Sequence, residues 1–158
     1  MKRAVIIVLW MSAIMLPAVA EEPVPYAYRP PALGESYAPS LAAIMRDVQF
    51  GHIKLASAGK LGNWGFASYE LGQVQDNLIG AARLYQNIPI EKINIVEEPL
   101  VALAAAIKAK DGARFARAFT DLTTTCNSCH EAAQVPFITI EVPTSSPFTD
   151  QSFGLKKR

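Results

Sequence analysis

The sequence predicts an all-α protein, an antiparallel four-helix bundle preceded by an extended, proline-rich leader and followed by an extended arm. Three observations support this fold class. Apolar residues recur at helical spacing through residues 40–134. The connections between these periodic segments are mostly short, which favours antiparallel neighbours. The stretches on either side lack that period, and 158 residues are enough for one domain with a hydrophobic core.

The N-terminal residues 1–20 have the features of a cleaved secretory signal. Two basic residues precede an apolar run over residues 4–16, which is shorter than the roughly 20 residues that a membrane-spanning helix needs. Ala18-Val19-Ala20 then fits the small-residue rule for cleavage. We therefore expect an exported, periplasmic protein that has no membrane span after cleavage.

The leader, residues 21–39, contains five prolines, and proline favours extended backbone over helix. Removal of the signal would lower the formal net charge from +1 to −1. The mature chain has no basic patch, so we expect no nucleic-acid partner.

The first two predicted helices begin at residues that favour helix N-termini. The first segment is expected from about Ser40 to Ala58, with Ser40 as its N-cap and Gly59 as its end. The second begins after Asn63, another good N-cap residue, and its pattern ends before Pro89.

The third and fourth predicted helices follow after a longer connection. The third is expected from about Glu97 to Lys110, with Pro99 in its first turn, where proline is tolerated. The fourth is expected from near Asp111 to about Ala133. Residues 135–158 form the predicted arm, whose apolar alternation resembles a strand without an obvious partner strand.

One short motif on the fourth predicted helix indicates the chemistry. The stretch TTTCNSCHEAAQVPF contains both cysteines of the chain and one of its two histidines. Cys126, Cys129 and His130 occupy positions i, i+3 and i+4, which lie on one side of a helix. Covalent haem attachment needs two thiols and an imidazole that ligates iron, and Cys-x-x-Cys-His is the signature of this attachment. The motif therefore predicts one covalent haem c, with His130 as the proximal iron ligand.

Three other interpretations of the motif were weighed against haem. A thioredoxin-like dithiol requires a βαβ setting, which the helical pattern does not provide. A structural zinc site needs four ligands, and adjacent Cys129 and His130 are poorly placed to bind one tetrahedral ion together. A disulfide between Cys126 and Cys129 suits an exported protein but gives His130 no role.

A second protein ligand to the iron has few candidates. Met45 is the only methionine outside the signal, and His52 is the only histidine besides His130. Met45 and His52 lie seven residues apart, about 10 Å along a helix, so they cannot both reach one iron. In an antiparallel bundle the start of the first helix lies beside the end of the fourth, which favours Met45. An iron without a distal protein ligand is the third alternative.

A signal peptide, a predicted four-helix bundle and Cys-x-x-Cys-His on the last helix resemble the class II cytochromes c, the cytochrome c prime group. The resemblance covers about Ser40–Ala133. It implies an iron that is five-coordinate or bound by a methionine of the first helix, which Met45 would match, and it admits a homodimer. Residues 51–71 and 135–143 differ from that group and look like a related family of small exported monohaem proteins.

We therefore expect a cytochrome that exchanges electrons with redox partner proteins and is not an enzyme. No Ser-His-Asp set, phosphate-binding glycine loop or close acidic pair is evident in the sequence. The alternative is a five-coordinate haem protein that binds or senses small gases.

Overall fold

The computed structural model describes residues 38–85, 88 and 90–155, and for residues 90–94 it describes the backbone alone. The predicted signal (residues 1–20) and the predicted leader up to residue 37 lie outside the described residues. The described part contains four α-helices and no β-strand, which confirms the all-α prediction. The helices are α1 (Leu41–Lys60), α2 (Trp64–Leu84), α3 (Ile90–Ala109) and α4 (Gly112–Ala132).

Three helices begin where the sequence predicted, because each N-cap is a local interaction. Ser40, Asn63 and Asp111 precede α1, α2 and α4, and the side-chain oxygen of each accepts a hydrogen bond from the backbone N–H three residues further on. Each bond satisfies a backbone donor that has no partner within its helix.

The predicted end of α1 at Gly59 was wrong, because the helix continues to Lys60. Gly59 is buried where α1 meets α4, and a Cβ at this position would lie 2.1 Å from Cε1 of Phe115. The turn that follows is made by Gly62, whose φ of +69° suits glycine. Glycine at position 59 therefore permits close helix packing rather than ending the helix.

The predicted start of α3 at Glu97 was also wrong, because α3 begins at Ile90 and contains Pro99 in its interior. The buried side chains of Val96, Leu100 and Leu103 follow helical spacing, so the core-facing stripe starts before the proline. Interior proline removes one helical hydrogen bond, and the apolar stripe outweighs that loss.

Contacts between the helices show an antiparallel bundle. Gly59 of α1 lies against Phe115 of α4, and His52 of α1 lies against Thr123. Residues later in α1 thus lie against residues earlier in α4, so the two helices are antiparallel. The buried cluster that joins the helices draws apolar side chains from all four of them. Its members are Val48, Leu55, Ala58, Ala67, Leu71, Val74, Val96, Leu100, Leu103, Ala106, Ile107, Phe115, Ala118, Phe119 and Leu122.

The segment after α4 has no regular secondary structure up to residue 155 and lies on the bundle. The Phe148 ring meets the Phe50 ring edge-on, with centroids 5.6 Å apart. The Phe153 ring is buried and stacks on Phe66 of α2 at 5.7 Å. These contacts agree with the predicted extended arm. No described helix is both long enough and apolar enough to cross a membrane.

Candidate functional site

Cys126, Cys129 and His130 lie together on the last two turns of α4. All three side chains are half-buried, at the border between the core and solvent. Cys126 packs against the buried cluster, and no disulfide joins it to Cys129. The structure therefore brings two thiols and an imidazole to one side of one helix, as their spacing predicted.

The surroundings of Cys126 keep its thiol protonated at neutral pH. Burial, and to a lesser extent the nearby Cys129, raise the pKa of Cys126 to about 11, against a lowering by a backbone hydrogen bond. Only the thiolate is a strong nucleophile and metal ligand, so Cys126 is a poorly reactive thiol in this environment.

His130 is held by the arm. Its Nδ1 lies 2.7 Å from the backbone carbonyl oxygen of Ile138. A carbonyl oxygen only accepts hydrogen bonds, so Nδ1 must carry the hydrogen and Nε2 of the neutral ring keeps its lone pair. In the described part of the chain, no residue is hydrogen-bonded to Nε2. The carbonyl therefore orients the imidazole, and the lone pair of the neutral ring lies on Nε2.

The role of the Ile138 carbonyl was not predictable from the sequence, because the contact requires the chain to reverse after α4. That reversal is visible in the backbone. Gln134 has a φ of +62°, and the N–H of Val135 donates to the carbonyl of His130 over 2.9 Å. Gln134, in the left-handed conformation, thus ends the helix and turns the arm back along α4.

Asn127, between the two cysteines, pairs with the same part of the arm. Its Nδ2 donates to the carbonyl of Ile140 at 2.9 Å, and the Ile140 N–H donates to its Oδ1 at 2.8 Å. A side-chain amide thus makes both backbone hydrogen bonds of one residue, as a neighbouring strand would. Asn127 was not recognised as a functional residue from the sequence.

His52 occupies a different environment from His130. Its side chain is 3% exposed, and its Nε2 lies 2.9 Å from the hydroxyl oxygen of Thr123. Because the Thr123 hydroxyl donates to the carbonyl of Phe119, its oxygen accepts from His52, whose Nε2 therefore carries the hydrogen. The rings of His52 and Phe119 lie 4.4 Å apart. Burial lowers the pKa of His52 to about 4, so the ring is neutral at physiological pH.

Met45 is half-buried and precedes His52 and Gly59 at seven-residue intervals, so helical spacing puts the three residues on one side of α1. Gly59 meets Phe115, and His52 meets Thr123 further along α4. Continuing this antiparallel register by two more turns of each helix reaches the level of the Cys-x-x-Cys-His motif. Met45 therefore belongs to the same end of the bundle as the motif, whereas His52 lies nearer the middle.

A search of the described residues finds no group of three or more His, Cys, Asp and Glu side chains arranged to hold a metal ion. Comparison of the chain with protein-family models, with curated proteins and with solved structures finds no match. The functional argument therefore depends on the geometry of this site.

Proposed function

We propose that this protein is an exported monohaem c-type cytochrome that transfers electrons in the periplasm. One haem c would be attached through Cys126 and Cys129, with His130 as the proximal iron ligand. The hydrogen bond from Nδ1 of His130 to the Ile138 carbonyl is the observation that carries this proposal. Metal-ligating histidines almost always donate their second ring N–H to a carbonyl, carboxylate or water, and the remaining nitrogen binds the metal.

The donor set fits the proposed cofactor. Two thiols and one lone-pair nitrogen lie half-buried on one side of α4, and Cys126 is in contact with the apolar core. When bound, haem would supply a one-electron redox centre whose potential depends on axial ligation and burial. The bundle would supply a fixed imidazole and a partly dry environment.

The chemistry of attachment is consistent with the state of the cysteines. Each thiol would add across one vinyl group, so that its sulfur forms a thioether bond and its hydrogen passes to the neighbouring carbon. The raised pKa of Cys126, about 11, keeps this side chain as a thiol. We expect attachment to require a maturation apparatus, because a protonated thiol is a weak nucleophile.

Met45 is the distal ligand that the geometry favours. His52 would have to give up its hydrogen bond to Thr123 and its contact with the Phe119 ring before Nε2 was available. Met45, a half-buried thioether at the end of α1 that lies nearer the Cys-x-x-Cys-His motif, would lose no such contacts. Met45 would therefore hold the iron together with His130, and His52 would remain a core side chain.

Spectroscopy of the purified protein tests the proposal. The full chain is co-expressed with a c-type maturation system, and ferric and reduced spectra are recorded with and without CO. Covalent haem with a low-spin spectrum that CO leaves unchanged would support six-coordinate electron transfer. Covalent haem that is high-spin and binds CO would favour the gas-binding alternative, and no haem after denaturation would overturn both.

The distal ligand is tested with two substitutions in the same preparation. Met45→Ala should convert the low-spin form to a high-spin form that binds CO, while His52→Ala should leave the spin state unchanged. The reverse result would make His52 the ligand. N-terminal sequencing of the periplasmic fraction should begin at Glu21, because the signal is predicted to end at Ala20.

A further inference from the structure

We infer that Asn127 is a positioning residue, which fixes the C-terminal arm so that the Ile138 carbonyl holds the imidazole of His130. The role toward iron rests on the proposed function, whereas the role toward the imidazole rests on the contacts alone. Asn127 itself touches neither ring nitrogen of His130. It acts through the two hydrogen bonds with Ile140, two residues beyond the carbonyl that His130 uses.

The arm has little else to fix it near the motif. Phe137 is 80% exposed and Ile138 is 47% exposed, so apolar burial contributes little there. The next ring contact along the arm is that of Phe148 with Phe50, ten residues beyond Ile138. A turn from the Ile138 N–H to the Val135 carbonyl (3.0 Å) sets only the local conformation. Apart from the His130–Ile138 hydrogen bond itself, the Asn127–Ile140 pair is therefore the described side-chain contact that joins this part of the arm to α4.

The geometry of the pair suits this role. Both bonds are short, at 2.9 and 2.8 Å, and they run in opposite directions between one amide and one peptide unit. Two such bonds fix both the distance and the rotation of the peptide relative to the helix. His130 is one turn of α4 beyond Asn127, so the imidazole and the amide meet the arm at adjacent points.

Loss of the Asn127–Ile140 pair has a definite electronic consequence. The bond from Nδ1–H to a carbonyl increases the electron density at Nε2 and stabilises the more positively charged metal. Without Asn127, the Ile138 carbonyl would be free to leave Nδ1, and an iron held by Nε2 would lose more stabilisation in its ferric form than in its ferrous form. We therefore expect the reduction potential to shift in the positive direction.

The experiment compares Asn127→Ala with Ser128→Ala in the haem-loaded full chain. Ser128 is the other residue between the cysteines, is exposed, and its hydroxyl donates to the Thr124 carbonyl within α4. Haem content should be the same in both variants. The reduction potential should shift positive in Asn127→Ala and remain at the wild-type value in Ser128→Ala. Equal potentials in all three proteins would overturn the proposal.

The haem-free full chain provides an independent measurement. Nitrogen-15 NMR of the His130 ring should report the Nδ1–H tautomer in the wild type and in Ser128→Ala. Asn127→Ala should give the mixed tautomers of an unconstrained imidazole, and the Ile140 amide should exchange about tenfold faster. An unchanged tautomer would overturn the positioning role even if no haem is attached, whereas failure of haem attachment alone overturns only the proposed function.

A second substitution, on the arm, removes one hydrogen bond of the same pair. Ile140→Pro removes the N–H that donates to Asn127, and it should produce the same tautomer change as Asn127→Ala. The double variant should show no larger tautomer change than either single variant, because both substitutions disrupt the same Asn127–Ile140 pair. Additive effects would show that Asn127 and Ile140 act separately, contrary to the proposal.

Discussion

Helices α1 and α4 meet differently at the two ends of their contact. At one end Gly59 lies so close to Phe115 that no Cβ fits between them, and the Trp64 ring packs edge-on against the same phenylalanine at 6.0 Å. At the other end, the thiols and imidazole of the Cys-x-x-Cys-His motif are half-buried, and the arm holds the imidazole through a backbone carbonyl. We call these the closed end and the motif end.

The two histidines show what this difference means chemically. His52, between the two ends, donates from Nε2 to Thr123 and is buried by the surrounding protein. His130, at the motif end, donates from Nδ1 to Ile138 and leaves Nε2 with its lone pair. The same side chain thus serves packing in one place and suits ligation in the other, and the difference arises from which ring nitrogen the protein hydrogen-bonds.

The largest effect is expected at the closed end. Gly59→Ala should lower the free energy of unfolding by about 3 kcal/mol, because the new methyl group would overlap the Phe115 ring. Urea unfolding measures this change. Gly72→Ala is the matched control within α2, where a Cβ would meet nothing within 4 Å. The control should stabilise the protein by roughly 0.5–1 kcal/mol, and a Gly59→Ala protein of wild-type stability would contradict the close packing.

Low pH should lower the free energy of unfolding through protonation of His52, which lies between α1 and α4. Burial lowers its pKa to about 4, below the ordinary value of 6.5, so the unfolded chain binds this proton first as the pH falls. The contribution is fully present above pH 6.5 and is lost toward pH 4, by up to about 3 kcal/mol. Urea titrations across this range measure the loss. His52→Gln keeps a donor for Thr123 without the titration, so this part of the pH dependence should disappear.

A smaller cost is expected from the acceptor of His52. Thr123→Val removes the hydroxyl and leaves the buried Nε2–H without an acceptor, which should cost about 2 kcal/mol. Thr124→Val is the control, because Thr124 is exposed and its hydroxyl donates to Thr120 within α4. Equal unfolding midpoints for the two variants would show that the buried hydrogen bond contributes little.

The smallest effect is expected at the motif end. Cys126→Ala in the haem-free protein should cost about 1 kcal/mol, because the thiol is small and only partly buried against the cluster. Urea unfolding under reducing conditions measures it. A cost equal to that of Gly59→Ala would mean that both ends are packed alike, and the comparison between them would fail.

Local features of this molecule were predictable from the sequence, and tertiary ones were not. The caps at Ser40, Asn63 and Asp111 depend on residues three positions away, and the face shared by Cys126 and His130 depends on helical spacing. These predictions needed no knowledge of the fold. The assignment of Met45 to the motif end used the antiparallel arrangement of the bundle as well, and it stays a prediction.

The roles of Gly59, Ile138 and Asn127 depend on segments that are distant along the chain or on a chain reversal. A glycine near a helix end usually marks that end, and nothing local shows that Phe115 will pack on it. The start of α3 was misjudged because Pro99 resembles a first-turn residue, although the buried stripe begins upstream. Backbone carbonyls carry no sequence signal, so the partner of His130 became visible only with the path of the arm.

The position of the arm after the motif in the chain has a consequence in time. Ile138 and Ile140 follow His130 by eight and ten residues, so they leave the ribosome later. At synthesis rates of about 5–20 residues per second, the eight residues from His130 to Ile138 take roughly 0.4–1.6 s. For that interval both thiols and the imidazole exist without the carbonyl that later fixes the ring. The carbonyl that fixes the ring can therefore take its place only after the whole motif has been made.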